Sequence, residues 1–344
     1  MATTILLPSA PPLVVGPKLD KATRPTNQLP QYLADEARDT RKVAFDPNKH
    51  LNIVHPNTIY TMTEIGLEGA GISDTAASEP FSLFTPEAVQ QMRAEIFSEP
   101  VLTNFQYTSD FASNMIRGYG PALAPFIFDA WKSPEVLEAI SKIAGIELVT
   151  AMDMDVGHIN VSINDMSIEV SRGKAGPEDD VSAFAWHRDS YPFVCVTMLS
   201  ECVGMVGGET AMRLGSGGTM NVRGPAIGTA VVMQGRYIEH QALKSFGVPE
   251  RISMVTAFRP KSPLIRDETV LTGMRAISNI SDLYSQYTEY RLEVIGDRLR
   301  ALSKKVRERE RSKRPFDTAG VKNFLREQKQ YIETMLVEMV ELED

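Results

Sequence analysis

The chain has 344 residues, 43% of them hydrophobic and 23% charged, with a formal net charge of -8 at neutral pH. This is the make-up of a soluble globular protein, one large domain with extensions or two modest ones, and it argues against a general affinity for nucleic acid or anionic membrane. The two cysteines, Cys195 and Cys202, exclude a disulfide scaffold and point to a reducing compartment, the cytoplasm.

Residues 1–45 are rich in proline and polar residues without a sustained period, which predicts an extended N-terminal arm over the body. The apolar stretch Thr4 to Val15 is broken by Pro8, Pro11 and Pro12 and lacks a basic leader, so it reads poorly as a signal peptide. No window reaches the run of about 20 apolar residues that a membrane span needs. A domain over 46–263 follows. Its first clear helix opens at Thr85-Pro86-Glu87, with Thr85 as N-cap, and stops before Pro100. Ser133-Pro134-Glu135 repeats that start, and Gly145 ends the second helix.

From about 146 to 260 the period changes to two. His158, Asn160, Ser162 and Asn164 alternate with Ile159, Val161 and Ile163. Further strands are read at Phe193 to Leu199, Gly207 to Arg213, Thr229 to Met233 and Ile252 to Phe258. Short strands between glycine turns suggest a β-sandwich or jelly roll. Residues 264–344 return to helix. Leu292, Ile295, Leu299, Leu302 and Val306 form an apolar stripe, and Lys304 to Arg314 is a charged run read as a solvated face. Pro315 ends that helix, and Asp317 or Thr318 caps a last one, so the two are expected to pack as a helical hairpin.

The chemistry concentrates at His187-Arg188-Asp189, at His240 and at Arg251-Ile252-Ser253. Placed at a strand start, His187 and Asp189 share a face while Arg188 points away. His240 follows the apolar strand Thr229 to Met233 after a turn at Gly235, and Arg251 and Ser253 share a face of the next strand. Two histidines and one carboxylate fill three positions on one face of an iron(II) ion and leave the rest for a chelating cosubstrate and dioxygen. An arginine fork with a neighbouring hydroxyl suits the far carboxylate of a dicarboxylic acid. A lone His-x-Asp is common and says little; order, spacing and strand context together carry the reading.

These segments, with Phe184 to Tyr191, Gly207-Gly208-Glu209-Thr210 and Gly235 to His240, resemble the iron(II)/2-oxoglutarate-dependent dioxygenase superfamily, and most of all a branch of fungal oxygenases linked to secondary metabolism. The match covers about residues 145 to 260. The resemblance implies an α+β fold, mainly β, with a double-stranded β-helix core, N-terminal flanking helices and the C-terminal hairpin. It implies Fe(II) on His187, Asp189 and His240, and 2-oxoglutarate with its distal carboxylate on Arg251 and Ser253. The activity implied is dioxygen-dependent oxidation, by default hydroxylation, of an unactivated C–H bond with release of succinate and carbon dioxide.

Other candidates are weighed beside it. Asn160 and His158 either bind the head of 2-oxoglutarate or belong to a solvated strand face, and Asn164 is read as a substrate contact on the same terms. Tyr191 shapes the pocket or is a core aromatic. Arg236 pairs with an acidic substrate or sits on a surface turn, and Thr210 faces the cavity. His50 and His55 lack the carboxylate or cysteine support for a second metal, and Gly215 to Gly218 is no phosphate loop. The expected partner is a small organic molecule, with no nucleic acid and no membrane, and the C-terminal helices are a candidate homodimer contact. Two alternatives stay open: a cupin-type metal dioxygenase without 2-oxoglutarate, and a non-catalytic jelly-roll assembly protein.

Overall fold

The computed structural model describes residues 11–16, 22–26, 28–109, 112–164, 182–222 and 224–341; the first ten residues of the expected arm fall outside them. The arm is not extended throughout. Gln31–Asp39 forms a helix, α1, that buries Leu33 and Ala37, one turn apart. Arg93 ties it down by donating to both carboxylate oxygens of Glu36, at 3.1 and 2.8 Å. Two buried positions and no side-chain cap leave little periodic signal in so short a segment.

The helices read from capping residues are present. In α2 (Pro86–Ile96) the Thr85 side chain accepts from Ala88 N. Then come α3 (Pro125–Lys132) and α4 (Pro134–Ala144), the latter capped by Ser133 and ended by Gly145 at φ 73°. Pro100 does not end the helical stretch, because Glu99–Phe105 makes a further short helix.

Among the described residues the strands form a ten-stranded and a four-stranded antiparallel sheet, with a separate two-stranded pair. The centre of the larger sheet uses β1 (Thr75–Ser78), β2 (Met115–Ile116), β3 (His158–Ile163), β5 (Phe193–Met198), β8 (Thr229–Met233) and β10 (Glu250–Pro260). Their spatial order is β1-β8-β5-β10-β3-β2. The smaller sheet orders β7 (Thr219–Val222), β6 (Thr210–Arg213), β9 (His240–Leu243) and β4 (Ser182–His187). The single strand expected over Gly207 to Arg213 is divided: Val206–Gly207 pairs with Ser245–Phe246, and β6 begins only at Thr210.

Strand β10 sets the two environments of the molecule. Ile252, Met254 and Phe258 join a core with Trp131, Phe193 and Ile159, between the large sheet and the helices. Arg251, Ser253, Val255 and Ala257 alternate with them and line a cavity shared with the small sheet. Because side chains alternate with period two, a slip of one residue would exchange the faces, so burial of the apolar set fixes the register.

The C-terminal extension holds α5 (Ile280–Arg311) and α6 (Thr318–Glu338), with Asn279 and Asp317 as capping side chains. Helix α5 stops at Arg311, ahead of Pro315, and the charged run is largely exposed as expected. The predicted stripe is not the buried face. Leu292 and Leu299 are 56% and 44% exposed, while Leu283, Tyr287, Tyr290, Arg291, Val294 and Arg298 are buried. Arg291 explains how such a face packs: its guanidinium lies 3.4 Å from the centroid of the Tyr331 ring and donates to Tyr331 O at 2.9 Å. Arginine and tyrosine side chains bury apolar stems and rings, and here they pack by stacking: Arg291 lies over the Tyr287 and Tyr331 rings, while the hydroxyls of Tyr287, Tyr290 and Tyr331 are buried without hydrogen-bond partners among the described residues, a pattern that hydropathy periodicity misses. No helix among the described residues is long and apolar enough to cross a membrane.

Candidate metal centre and its cavity

The small sheet brings two histidines together. His187 is the last residue of β4 and His240 the first of β9, and they are direct partners across the ladder. Their rings lie 4.3 Å apart, centroid to centroid. Each ring holds its Nδ1 against the carbonyl two residues earlier: His187 against Ala185 O at 2.7 Å and His240 against Ile238 O at 2.9 Å. Those carbonyls accept, so both Nδ1 atoms carry the proton and both Nε2 atoms present a lone pair. Asp189 completes the group, with Oδ1 3.6 Å from His187 Nε2 and Oδ2 3.6 Å from His240 Nε2. The three ligand atoms lie within 4.8 Å of one another.

The sequence reading put His187 and Asp189 at a strand start. His187 instead closes its strand, and Asp189 stands in the turn beyond it, its N–H donating to Gly235 O at 2.9 Å. The turn, not the pleat, aims the carboxylate. Gly235 is the surface it rests on: a Cβ there would fall 1.8 Å from Asp189 Oδ2. In the sequence this glycine carried only a turn signal.

Electrostatics suit a cation. Burial pushes the pKa of His240 down to about 4, against the pull of Asp189, so the imidazole is neutral at pH 7. Burial favours the protonated form of Asp189, but the adjoining His240 and His187 outweigh it and hold the carboxyl below its ordinary value. Asp189 Oδ2 is buried without a hydrogen-bond partner, an acceptor suited to a metal ion.

Arg251 and Ser253 lie in the same cavity, on β10 of the facing sheet. Arg251 is 6% exposed, donates from Nε to Gly208 O at 3.3 Å, and reaches Ser253 Oγ from Nη1 at 3.5 Å. No carboxylate among the described residues is within ion-pair distance of it, and burial lowers its pKa from the ordinary arginine value. Gly208, at φ +76°, lets that carbonyl approach, since a Cβ there would sit 3.3 Å from Arg251 Nε. A buried guanidinium with donors to spare is a costly arrangement unless an anion joins it.

The cavity encloses about 190 Å³. Of the other expected residues, His158, Asn160, Tyr191 and Thr210 line it, as does Ser162. His158 Nε2 and Asn160 Oδ1 are buried there without hydrogen-bond partners. Burial, with Arg117 adding to it, pushes the pKa of His158 down to about 3. Two expected contacts lie elsewhere. Asn164 stands just past β3 and donates to Ser245 Oγ and Val248 O. Arg236 is buried away from the cavity and donates to Glu268 O and Pro12 O, fastening the arm to the body. Arg188, read as pointing away, lines the cavity beside Asp189 and reaches Glu239 at 3.6 Å. Sequence reasoning missed Arg117 and Asp155 altogether, a buried pair at 2.7 Å on the cavity wall. It also missed Val15, Met274 and Ile277, which come from the arm and from the loop before α5.

No family model and no curated protein matches the chain. Its fold is similar to that of several solved structures. A prolyl-4-hydroxylase of Pseudomonas putida shares 17% identity, over 52% of this chain and 88% of its own, at a TM-score of 0.36. A prolyl 4-hydroxylase of Phytophthora capsici shares 12%, over 76% and 89%, at 0.35. An oxidoreductase of the 2OG-Fe(II) oxygenase family from Burkholderia pseudomallei shares 15%, over 42% and 65%, at 0.31. The chain thus spans less than two thirds of that last protein's length. At TM-scores of 0.31 to 0.36 and identities of 12 to 17%, these likenesses carry no argument about the site, which stands on its own geometry.

Proposed function

We propose that this protein is an Fe(II)- and 2-oxoglutarate-dependent oxygenase with a double-stranded β-helix core, acting on a small organic molecule. One observation carries the reading: two Nε2 lone pairs and a carboxylate converge in the same cavity as a buried arginine that lacks an anion. A metal dioxygenase without 2-oxoglutarate would leave Arg251 without a role.

His187, Asp189 and His240 would hold the iron, and Arg251 with Ser253 would bind the distal carboxylate of 2-oxoglutarate. Asn160, His158 and Thr210 line the space between and would serve its other end or the substrate. Iron with 2-oxoglutarate and dioxygen supplies the oxidising chemistry, which converts the cosubstrate to succinate and carbon dioxide and oxidises an unactivated C–H bond, by default to the alcohol. The chain's share is positioning. The Ala185 and Ile238 carbonyls keep each Nδ1 protonated and each Nε2 directed inward, Gly235 seats Asp189, and the apolar wall of Val194, Val196 and Val255 limits water. The reading extends to a cytoplasmic enzyme of secondary metabolism. It includes a homodimer through the outward apolar residues Leu292, Leu299, Leu325, Ile332 and Leu336 of α5 and α6; light scattering of the intact protein, giving twice the chain mass, checks the last point.

The deciding experiment is anaerobic. Fe(II) and 2-oxoglutarate added together are expected to give a weak visible charge-transfer band that neither gives alone. A band absent with both present, while Fe(II) binds, overturns the 2-oxoglutarate reading.

A further inference from the structure

Beyond the iron ligands the cavity reaches a second polar group that the chemistry above leaves unused. Arg117, Asp155 and Tyr191 line it and are 0%, 3% and 3% exposed. They come from the residue after β2, from the turn Asp153–Asp155 and from the loop after Asp189. Arg117 Nη2 donates to Asp155 Oδ1 at 2.7 Å, and the Tyr191 hydroxyl donates to Asp155 Oδ2, so both carboxylate oxygens are engaged. The guanidinium is not saturated. Its Nε has no partner, and its Nη1 meets only the Met274 sulfur at 3.4 Å, a weak acceptor. The surrounding wall is apolar: Tyr191, Val194, Met233, Ala257 and Met274 belong to one packed cluster, and each also lines the cavity.

Charge balance decides what fits there. Arg117 is already neutralised by Asp155, so an anionic group would bring a second negative charge beside a buried carboxylate. A cationic group would compete with Arg117 for oxygens already engaged by hydrogen bonds. An uncharged oxygen loses only its hydration and gains a hydrogen bond from a charged donor. We infer that Arg117 is a specificity-determining residue, donating a hydrogen bond to an uncharged oxygen, a carbonyl or hydroxyl, at the buried end of a largely apolar substrate, while Asp155 and Tyr191 hold the guanidinium in place. This rests on the oxygenase reading for its meaning, but its test does not.

The test uses three probes on one frame: 1-tetralone, tetralin and 1,2,3,4-tetrahydro-1-naphthoate. Their affinities for the intact, metal-free protein are measured by ligand-observed NMR. The ketone is expected to bind about tenfold more tightly than the hydrocarbon, the worth of one hydrogen bond from a charged donor. In Arg251→Met, which removes the cavity's unpaired guanidinium, the ketone is also expected to bind more tightly than the carboxylate. Arg117→Met removes the ketone's advantage and leaves tetralin unchanged. Because that substitution strands Asp155, the double variant Arg117→Met/Asp155→Asn, which carries no buried charge, is measured beside it. The inference is overturned by a ketone that binds no better than tetralin or not at all, by an advantage that survives in both variants, or by a carboxylate that binds best and still does so in Arg251→Met. The charge-transfer band tests the oxygenase reading separately: its loss with the probe ranking intact sinks that reading alone.

Discussion

The cavity holds two buried arginines that differ in one respect. Arg117 is 0% exposed and paired with Asp155 at 2.7 Å, while Arg251 is 6% exposed and has a carbonyl and a hydroxyl as hydrogen-bond partners, with Glu209 near but no carboxylate within ion-pair distance among the described residues. The first is a closed account of charge, and the second is open by one negative charge. Under the proposed function the missing partner is a ligand, and its sign is known before its identity.

The largest expected effect lies between these two ends. His187→Ala and His240→Ala should each abolish iron-dependent succinate formation, since neither leaves three protein ligands; full turnover in either variant would undo the assignment. The sharpest test of the contrast is the same substitution at both arginines. Arg117→Met strands Asp155 in the interior and should lower the stability of the metal-free protein by about 3–5 kcal/mol. Arg251→Met removes an uncompensated charge and should instead raise Tm by about 2–4 °C, while weakening 2-oxoglutarate binding roughly a hundredfold. Equal destabilisation in thermal melts of the two variants would erase the distinction.

Gly235→Ala probes the seat of Asp189. A methyl group 1.8 Å from Oδ2 must displace the carboxylate, so iron affinity should fall about 10- to 100-fold, as measured by metal titration, with Arg251 and its ligand unaffected. At neutral pH the smallest effect is that of the histidines, which shows only in acid. Burial lowers the pKa values of His158 and His240 from the ordinary histidine value of 6.5 to about 3 and about 4. As pH falls below about 6.5 the unfolded chain takes up protons that the folded one refuses, so stability declines until the folded-state values are reached. Each group contributes up to about 1.4 kcal/mol per pH unit across that window. Removing one by His158→Asn should flatten the acid limb of a denaturant-stability profile, and an unchanged limb would mean His158 is not held neutral.

What was legible from sequence follows from how far apart the interacting groups lie. His187 with Asp189, and Arg251 with Ser253, are local pairs two residues apart; alternation along one strand puts Arg251 and Ser253 on a shared face, whereas Asp189 is brought beside His187 by the turn after its strand. Helix starts at Thr85 and Ser133 were legible because a cap is made within three residues. The buried face of α5 was not, because tyrosine and arginine do the packing there. Asn164 was assigned to the cavity by extending an alternation one residue past the strand's end, where the backbone turns toward Ser245 and Val248. Arg236 was misplaced because its partners, at Pro12 and Glu268, lie in distant segments.

The amino-acid sequence by itself picked out the candidate metal ligands, the candidate anion-binding pair Arg251 and Ser253, and period-two strands that carry them, since His187 with Asp189 and Arg251 with Ser253 are each only two residues apart. Only the tertiary structure decided that Asp189 is aimed by Gly235 from another loop, that Arg117 and Asp155 meet inside the same cavity, and that the arm and the loop before α5 help to wall it. Those pairings join residues far apart along the chain, and nothing in local spacing selects one such partner over another until the core is packed.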